Sequence, residues 1–242
     1  YIQCDNLTLN VLGTDSAGIL AQVENATPDR ANVVLKGTYR GVIRQSGTEL
    51  SSAAVMLEGG HIDLQTSAPT QTGEYNITSN GLGIVVANGN ISQSSGGLSV
   101  NTTRGTAIYL RGGSLTQASG ATLSVTSTIA EGTTWAQGDT SGDGSANIYN
   151  GVYVRGGSLT CNGTLNVTHT GVENDLTQWG SNINNSNRTE YGGELYQNYV
   201  IRSYAIRVEG ASGSDVTSSS VTLLQGTIIN YVGGGLYVSG GT

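Results

Sequence analysis

Residues 107–113 read Ala107-Ile108-Tyr109-Leu110-Arg111-Gly112-Gly113, and the chain states this phrase six times. Ala54-Val55-Met56-Leu57-Glu58-Gly59-Gly60 and Gly83-Ile84-Val85-Val86-Ala87-Asn88-Gly89 precede it. Gly151-Val152-Tyr153-Val154-Arg155-Gly156-Gly157, a looser copy from Ala205 and a last one from Gly235 follow it. Successive copies begin 29, 24, 44, 54 and 30 residues apart. A small residue, a short alternating strand and a Gly-Gly corner at such spacing describe one turn of a solenoid.

Each phrase leads into a second strand: His61–Leu64, Asn90–Gln93, Ser114–Gln117 and Ser158–Cys161. A corner and a third strand follow: Tyr75–Thr78, Leu98–Asn101, Leu123–Thr126 and Leu165–Thr168. Three strands and three corners in about 24 residues close one triangular coil, and stacked coils pair their strands in parallel. Aliphatic residues fall in columns, Val55, Ile84, Ile108, Val152, Ile206 and Leu236 in one, with Leu57, Val86, Leu110, Val154, Val208 and Val238 in the next. Period-two alternation turns these columns inward and their neighbours outward.

Composition agrees with that architecture. Of 242 residues, 37 are Gly, 2 are Pro and none is Phe, a mixture for short strands and tight corners. Charged residues are 11% of the chain, against about 25% in an ordinary domain. Net charge is −7 and the ten basic residues form no run, which argues against a nucleic-acid partner. No stretch approaches the roughly 20 apolar residues of a membrane span. The Ser/Thr/Asn/Gly-rich, Lys-poor composition points to a secreted protein.

The three-strand coil, its stacked aliphatic columns and its Gly/Asn corners resemble the right-handed parallel β-helix of the pectin-lyase-like superfamily. The Gly-, Thr- and Asn-rich character is similar to that of bacterial autotransporter passenger domains and related adhesins. The resemblance covers nearly the whole chain, residues 1–50 being least regular. It implies one all-β domain over 1–242, a right-handed parallel β-helix of about seven coils. That solenoid carries lyases, hydrolases, tailspikes and inert stalks alike, so function has to come from the site.

Two long spacings imply insertions at one corner, between strand three and the next strand one, at about 129–150 and 171–204. Insertions on one side of a solenoid mark its binding side. They hold Trp135, Tyr149, Trp179, Tyr191, Tyr196, Tyr199 and Tyr204. The adjoining outward column of strand one reads Met56, Val85, Tyr109, Tyr153, Arg207 and Tyr237, and the next Glu58, Ala87, Arg111, Arg155, Glu209 and Ser239. Arg111 and Arg155 stand one coil apart, about 5 Å, a like-charge pair that Glu209 or the second insertion's acids balance. Sugars stack on aromatic faces and Arg forks carboxylates, so Tyr109, Arg111, Tyr153, Arg155, Arg207 and Glu209, walled by Trp135 and Trp179, form a candidate groove for a glycan or receptor.

The expected function is therefore a non-enzymatic structural or adhesive module. The alternative is a polysaccharide lyase or hydrolase in the same groove. Hydrolysis needs two carboxylates at about 5–9.5 Å, and strand one offers only Glu58 and Glu209, four coils apart. Among the lyases it resembles, Arg111 or Arg155 fits the base, but their calcium-binding Asp cluster is missing. No nucleophile elbow, zinc-protease or phosphate-loop motif is present.

Asp139, Ser141 and Asp143, ahead of Gly144, resemble part of a Ca²⁺ loop, although Asn150 stands where the bidentate acid belongs. His61 and His169 lack partners at metal or triad spacing. Cys4 and Cys161 fall several coils apart, too far for a disulfide. Outward Ser99, Asn101, Thr103, Ser124, Thr126, Thr128, Asn166, Thr168 and Thr170 form a polar ladder that resembles ice-binding solenoids, a lesser alternative. Asn-x-Ser/Thr triplets at Asn76, Asn101 and Asn166 follow from the same composition. The final phrase opens a coil without a cap, which predicts either a segment of a longer solenoid or end-to-end self-association.

Overall fold

In the computed structural model, the described residues are 6–11, 17–21, 32–37, 40–45, 53–59, 61–66, 74–80, 82–103, 105–129, 150–171, 204–210, 219–231 and 234–240. They contain twenty strands and no helix, arranged as three parallel sheets in a solenoid-like stack, compatible with a parallel β-helix. The segments expected as insertions fall almost wholly outside these residues.

The first sheet carries the repeated phrase: β2 Ala17–Ala21, β5 Ala53–Leu57, β8 Leu82–Val86, β11 Ile108–Leu110, β14 Val152–Arg155, β17 Tyr204–Glu209 and β20 Gly234–Ser239. The second sheet has six strands: β3 Asn32–Gly37, β6 His61–Thr66, β9 Asn90–Gln93, β12 Ser114–Gln117, β15 Ser158–Cys161 and β18 Ser220–Leu223. The third joins β1 Asn6–Val11, β4 Arg40–Gln45, β7 Glu74–Ser79, β10 Gly97–Thr102, β13 Thr122–Ile129, β16 Thr164–Gly171 and β19 Thr227–Tyr231. Every pairing is parallel.

The columns align as the sequence predicts. Val55, Ile84, Ile108, Val152, Ile206 and Leu236 are successive register partners. Leu57, Val86, Leu110, Val154, Val208 and Val238 form the adjoining column. All of them except Leu236 and Val238, which are exposed, meet Ile62, Ile91, Leu115 and Leu159 from the second sheet and Leu98, Val100, Leu123, Val125, Leu165 and Val167 from the third, in one buried core. Each strand thus hides its inner face only because its neighbours are present.

The small residue that opens each phrase has a steric cause. A Cβ on Gly83 would lie 2.3 Å from the Ala107 carbonyl oxygen and 2.6 Å from Val100 Cγ1. On Gly151 it would lie 2.5 Å from the Ala205 carbonyl oxygen and 2.6 Å from Val167 Cγ1. The six phrases open Ala54, Gly83, Ala107, Gly151, Ala205, Gly235. Alanine and glycine alternate through these six positions.

Buried polar side chains close two of the corners. Gln93 Nε2 donates to the carbonyls of Gly96 and Thr122, both at 2.9 Å. Its register partner Gln117 donates to Ala121 at 3.0 Å and Thr164 at 2.9 Å, each thereby serving carbonyls on its own coil and the next. At the corner leading into the first sheet, Asn150 Oδ1 accepts from the Tyr204 N–H at 2.8 Å, and the Asn150 N–H donates to Thr106 Oγ1 at 3.2 Å. Burial of polar groups is tolerated where such bonds replace water.

Cys161 is a buried free thiol in the Gln93–Gln117 column, and desolvation pushes its pKa up to about 12. Cys4 lies outside the described residues. His169 lies on β16 between Ser127 and Tyr231 in register, fully buried.

Candidate functional site

Alternation along the first sheet sets the ladder Met56, Val85, Tyr109, Tyr153, Arg207, Tyr237 on the side away from the main core, each residue being the register partner of the next. Tyr109 and Tyr153 stack with ring centroids 5.1 Å apart and planes 6° from parallel. Such a pair contributes about 0.5–1.5 kcal/mol beyond its buried area.

The rings are not open to solvent. Tyr109 is 5% and Tyr153 1% exposed, and with Ala53, Leu82, Val85 and Met56 they make a second apolar cluster. Outward direction in a strand therefore does not mean exposure on this sheet. In this state neither ring offers a free face on which a sugar stacks.

Past Tyr153 the ladder becomes charged. Arg207 Cζ lies 5.3 Å from the Tyr153 ring centroid, 5.4 Å from that of Tyr237 and 5.9 Å from that of Tyr204. Tyr204 and Tyr237 contact each other at 5.0 Å with a 30° tilt. A cation over aromatic faces gains about 0.5–2 kcal/mol, more as water is removed. Glu209, two residues further along β17 on the same side, neutralises that cation. Arg207 Nε donates to Glu209 Oε1 at 2.9 Å, and Nη2 donates to the same oxygen in an ion pair. The Tyr153 hydroxyl donates to the other oxygen, Oε2, at 2.5 Å.

Burial, the bond to Glu209 and its negative charge all push the Tyr153 phenol far above its usual pKa, opposed by Arg207. Tyr204 is raised too, chiefly by burial, with Arg207 again pulling the other way. Both phenols stay protonated throughout the physiological range, which keeps Tyr153 a donor.

Arg111 and Arg155 directly follow the paired Leu110 and Val154, so they adjoin in one column as expected. Arg155 has Glu209 as its register partner, although the Glu209 carboxylate turns to Arg207. Arg111 is exposed and Arg155 half-buried, so both cations are accessible, as are Glu58 and Ser239 at the two ends of the column. Glu58 and Glu209 flank strands four steps apart in the sheet order, about 19 Å at 4.8 Å per step, beyond the reach of paired-carboxylate hydrolysis.

Trp135 and Trp179, expected to wall the site, and Asp139, Ser141 and Asp143, expected as a partial Ca²⁺ loop, lie outside the described residues. Among the described residues no group of three or more His, Cys, Asp or Glu is placed to hold a metal ion. No helix among them is long and apolar enough to cross a membrane.

The sequence placed Tyr204 in an insertion, whereas it opens β17 and joins the Arg207 cluster. Its position just before the small residue of the fifth phrase was the available signal. No protein-family model matches the chain, and no curated protein or solved structure matches it significantly.

Proposed function

We propose that the chain is a non-enzymatic structural or adhesive module of a secreted or bacterial cell-surface protein. In this reading it is a right-handed parallel β-helix of about seven coils, of the pectin-lyase-like kind found in autotransporter passengers. Recognition of a glycan or surface receptor falls to the charged end of the first sheet, where Arg111 and Arg155 face outward beside Arg207, Glu209 and Tyr237.

The observation that carries this reading is the commitment of Glu209. One oxygen is taken by Arg207 and the other by Tyr153. A carboxylate so engaged is a strut, poorly suited to act as general acid or base, which supports binding over hydrolysis or lysis. The stacked, buried tyrosines behind it hold the cations on a stiff backing, which limits the entropy lost when a ligand docks.

A glycan array on the isolated chain tests the reading, scored together with release of reducing ends and of ultraviolet-absorbing unsaturated sugars. Binding without product formation is expected. Arg155→Ala and Arg111→Ala should each weaken that binding about tenfold or more, while Thr116→Ala on the second sheet leaves it unchanged. Product formation, or binding indifferent to both arginines, overturns the proposal.

A further inference from the structure

Asparagine followed by glycine occurs four times in this chain, at Asn80-Gly81, Asn88-Gly89, Asn150-Gly151 and Asn162-Gly163. In such a pair the glycine nitrogen can attack the asparagine carboxamide, because no side chain on the second residue crowds the approach. The attack needs a carboxamide free to turn onto that nitrogen and an N–H not held elsewhere. The fold treats the four pairs differently.

At Asn150 both groups are engaged. Its Oδ1 accepts from the Tyr204 N–H at 2.8 Å, the Gly151 N–H donates to the Tyr204 carbonyl at 3.0 Å, and Asn150 is 0% exposed. After Asn162, the buried Gly163 donates its N–H to Gln117 Oε1 at 3.3 Å. Asn80 Oδ1 accepts from the Thr103 hydroxyl at 3.1 Å, and Gly81 lies outside the described residues.

Asn88 differs on each count. It is exposed, on the corner between β8 and β9, and the Gly89 N–H donates to Asn88 Oδ1 at 2.9 Å. Cγ, the carbon to be attacked, is one C=O bond, about 1.2 Å, from that oxygen. Two residues past the paired Leu57, Val86 and Leu110, the counterparts of Asn88 beside the adjacent strands are Gly59 and Gly112. Neither has a side chain to clamp the carboxamide. We propose that Asn88 is a site of spontaneous deamidation in the folded protein, through a succinimide closed by the Gly89 nitrogen. Hydroxide takes the Gly89 N–H proton and the nitrogen bonds to Asn88 Cγ. The Cγ–Nδ2 bond then breaks, and ammonia leaves with a proton from water, which regenerates hydroxide. Water adds to one of the two carbonyls of the five-membered imide and opens it to aspartate or isoaspartate. Either product adds a carboxylate to a chain of net charge −7. Isoaspartate also lengthens the main chain by a methylene at the corner where the Gly89 carbonyl accepts from the Ser114 N–H at 2.9 Å.

Incubation of the 242-residue chain at about pH 8, followed by proteolysis and fragment mass spectra, tests the site. The expected result is a gain of about 1 Da at position 88, in separable aspartate and isoaspartate forms. It should form about tenfold or more faster than at Asn150 and Asn162, where a hydrogen bond must break first. Lowering the medium to about pH 6 should slow it, because hydroxide starts the reaction. In urea the lead of Asn88 should vanish, since the unfolded chain no longer separates the pairs. Asn88→Gln, which would need a larger ring, should abolish the gain at position 88 and leave the far-ultraviolet circular dichroism unchanged. No gain at position 88, equal rates at Asn88 and Asn150 in the folded protein, or a lead of Asn88 that persists in urea overturns the proposal.

Discussion

The Tyr153 hydroxyl donates to Glu209 Oε2 at 2.5 Å, binding β14 to β17 through side chains as well as through the sheet. Tyr153→Phe keeps the stack on Tyr109 but removes this charge-assisted bond, and should lower stability by about 1.5–3 kcal/mol. Tyr153→Ala empties a site that is 1% exposed and should cost about 3–5 kcal/mol. Urea unfolding with an unchanged m-value reads both. A Phe variant as stable as the parent would show that Arg207 alone satisfies the carboxylate.

The alternation of alanine and glycine at the start of each phrase makes a prediction of opposite kind. Gly83→Ala and Gly151→Ala each place a methyl within 2.5 Å of a backbone carbonyl oxygen that cannot swing away. Overpacking of this sort costs about 1–3 kcal/mol, and the double variant should be close to additive because the two sites are two strands apart. Thermal unfolding of the three variants gives the measurement; a neutral Gly151→Ala would mean that the coils slide to make room.

Gln117 bridges two coils by donating to Ala121 and Thr164, and its own carbonyl accepts from the Gly163 N–H at 3.3 Å. Gln117→Leu fills the same space yet removes the donor to the Thr164 carbonyl and the acceptor of the Gly163 N–H, whereas the Ala121 carbonyl keeps its bond from the Thr164 N–H at 2.9 Å. A loss of about 2–4 kcal/mol is expected, since each unsatisfied buried group costs about 1–3 kcal/mol and nearby water relieves part of it. Gln93→Leu, whose amide also serves two carbonyls, should behave alike. Denaturant titration of the pair measures it, and an unperturbed midpoint would show that solvent reaches this corner.

How much of this was legible in residue order depends on which physical rule was decisive. Period-two alternation and a repeated phrase located the columns residue by residue, because parallel stacking leaves no choice of register once Ile84, Ile108 and Val152 are aligned. The same alternation sent Gln93 and Gln117 inward, but their role as corner struts depends on carbonyls that only the folded coil brings near. The Tyr109–Tyr153–Arg207 ladder was legible as a column and illegible in exposure. Alternation gives the direction of a side chain and says nothing of what lies over it. The bond from Arg207 to Glu209 was not legible for a related reason: a carboxylate reaches two residues along its own strand as well as across to its register partner Arg155.

His169 gives the fold an acid limit. It is fully buried on β16, and desolvation lowers its pKa from 6.5 to about 4, against a smaller upward pull from a hydrogen bond with the Ser127 backbone. Above pH 6.5 the residue is neutral whether the chain is folded or not, and its full contribution to stability is present. Between pH 6.5 and about 4 the unfolded chain takes up a proton that the folded chain refuses, so stability falls as pH falls. A difference of this size corresponds to about 3 kcal/mol by the time pH is below 4. His169→Gln removes the titration while retaining a polar side chain. The expected outcome is a urea midpoint that declines between about pH 7.5 and about pH 4.5 in the parent and declines less in the variant. Parallel declines in the two proteins would place the acid sensitivity among the carboxylates instead.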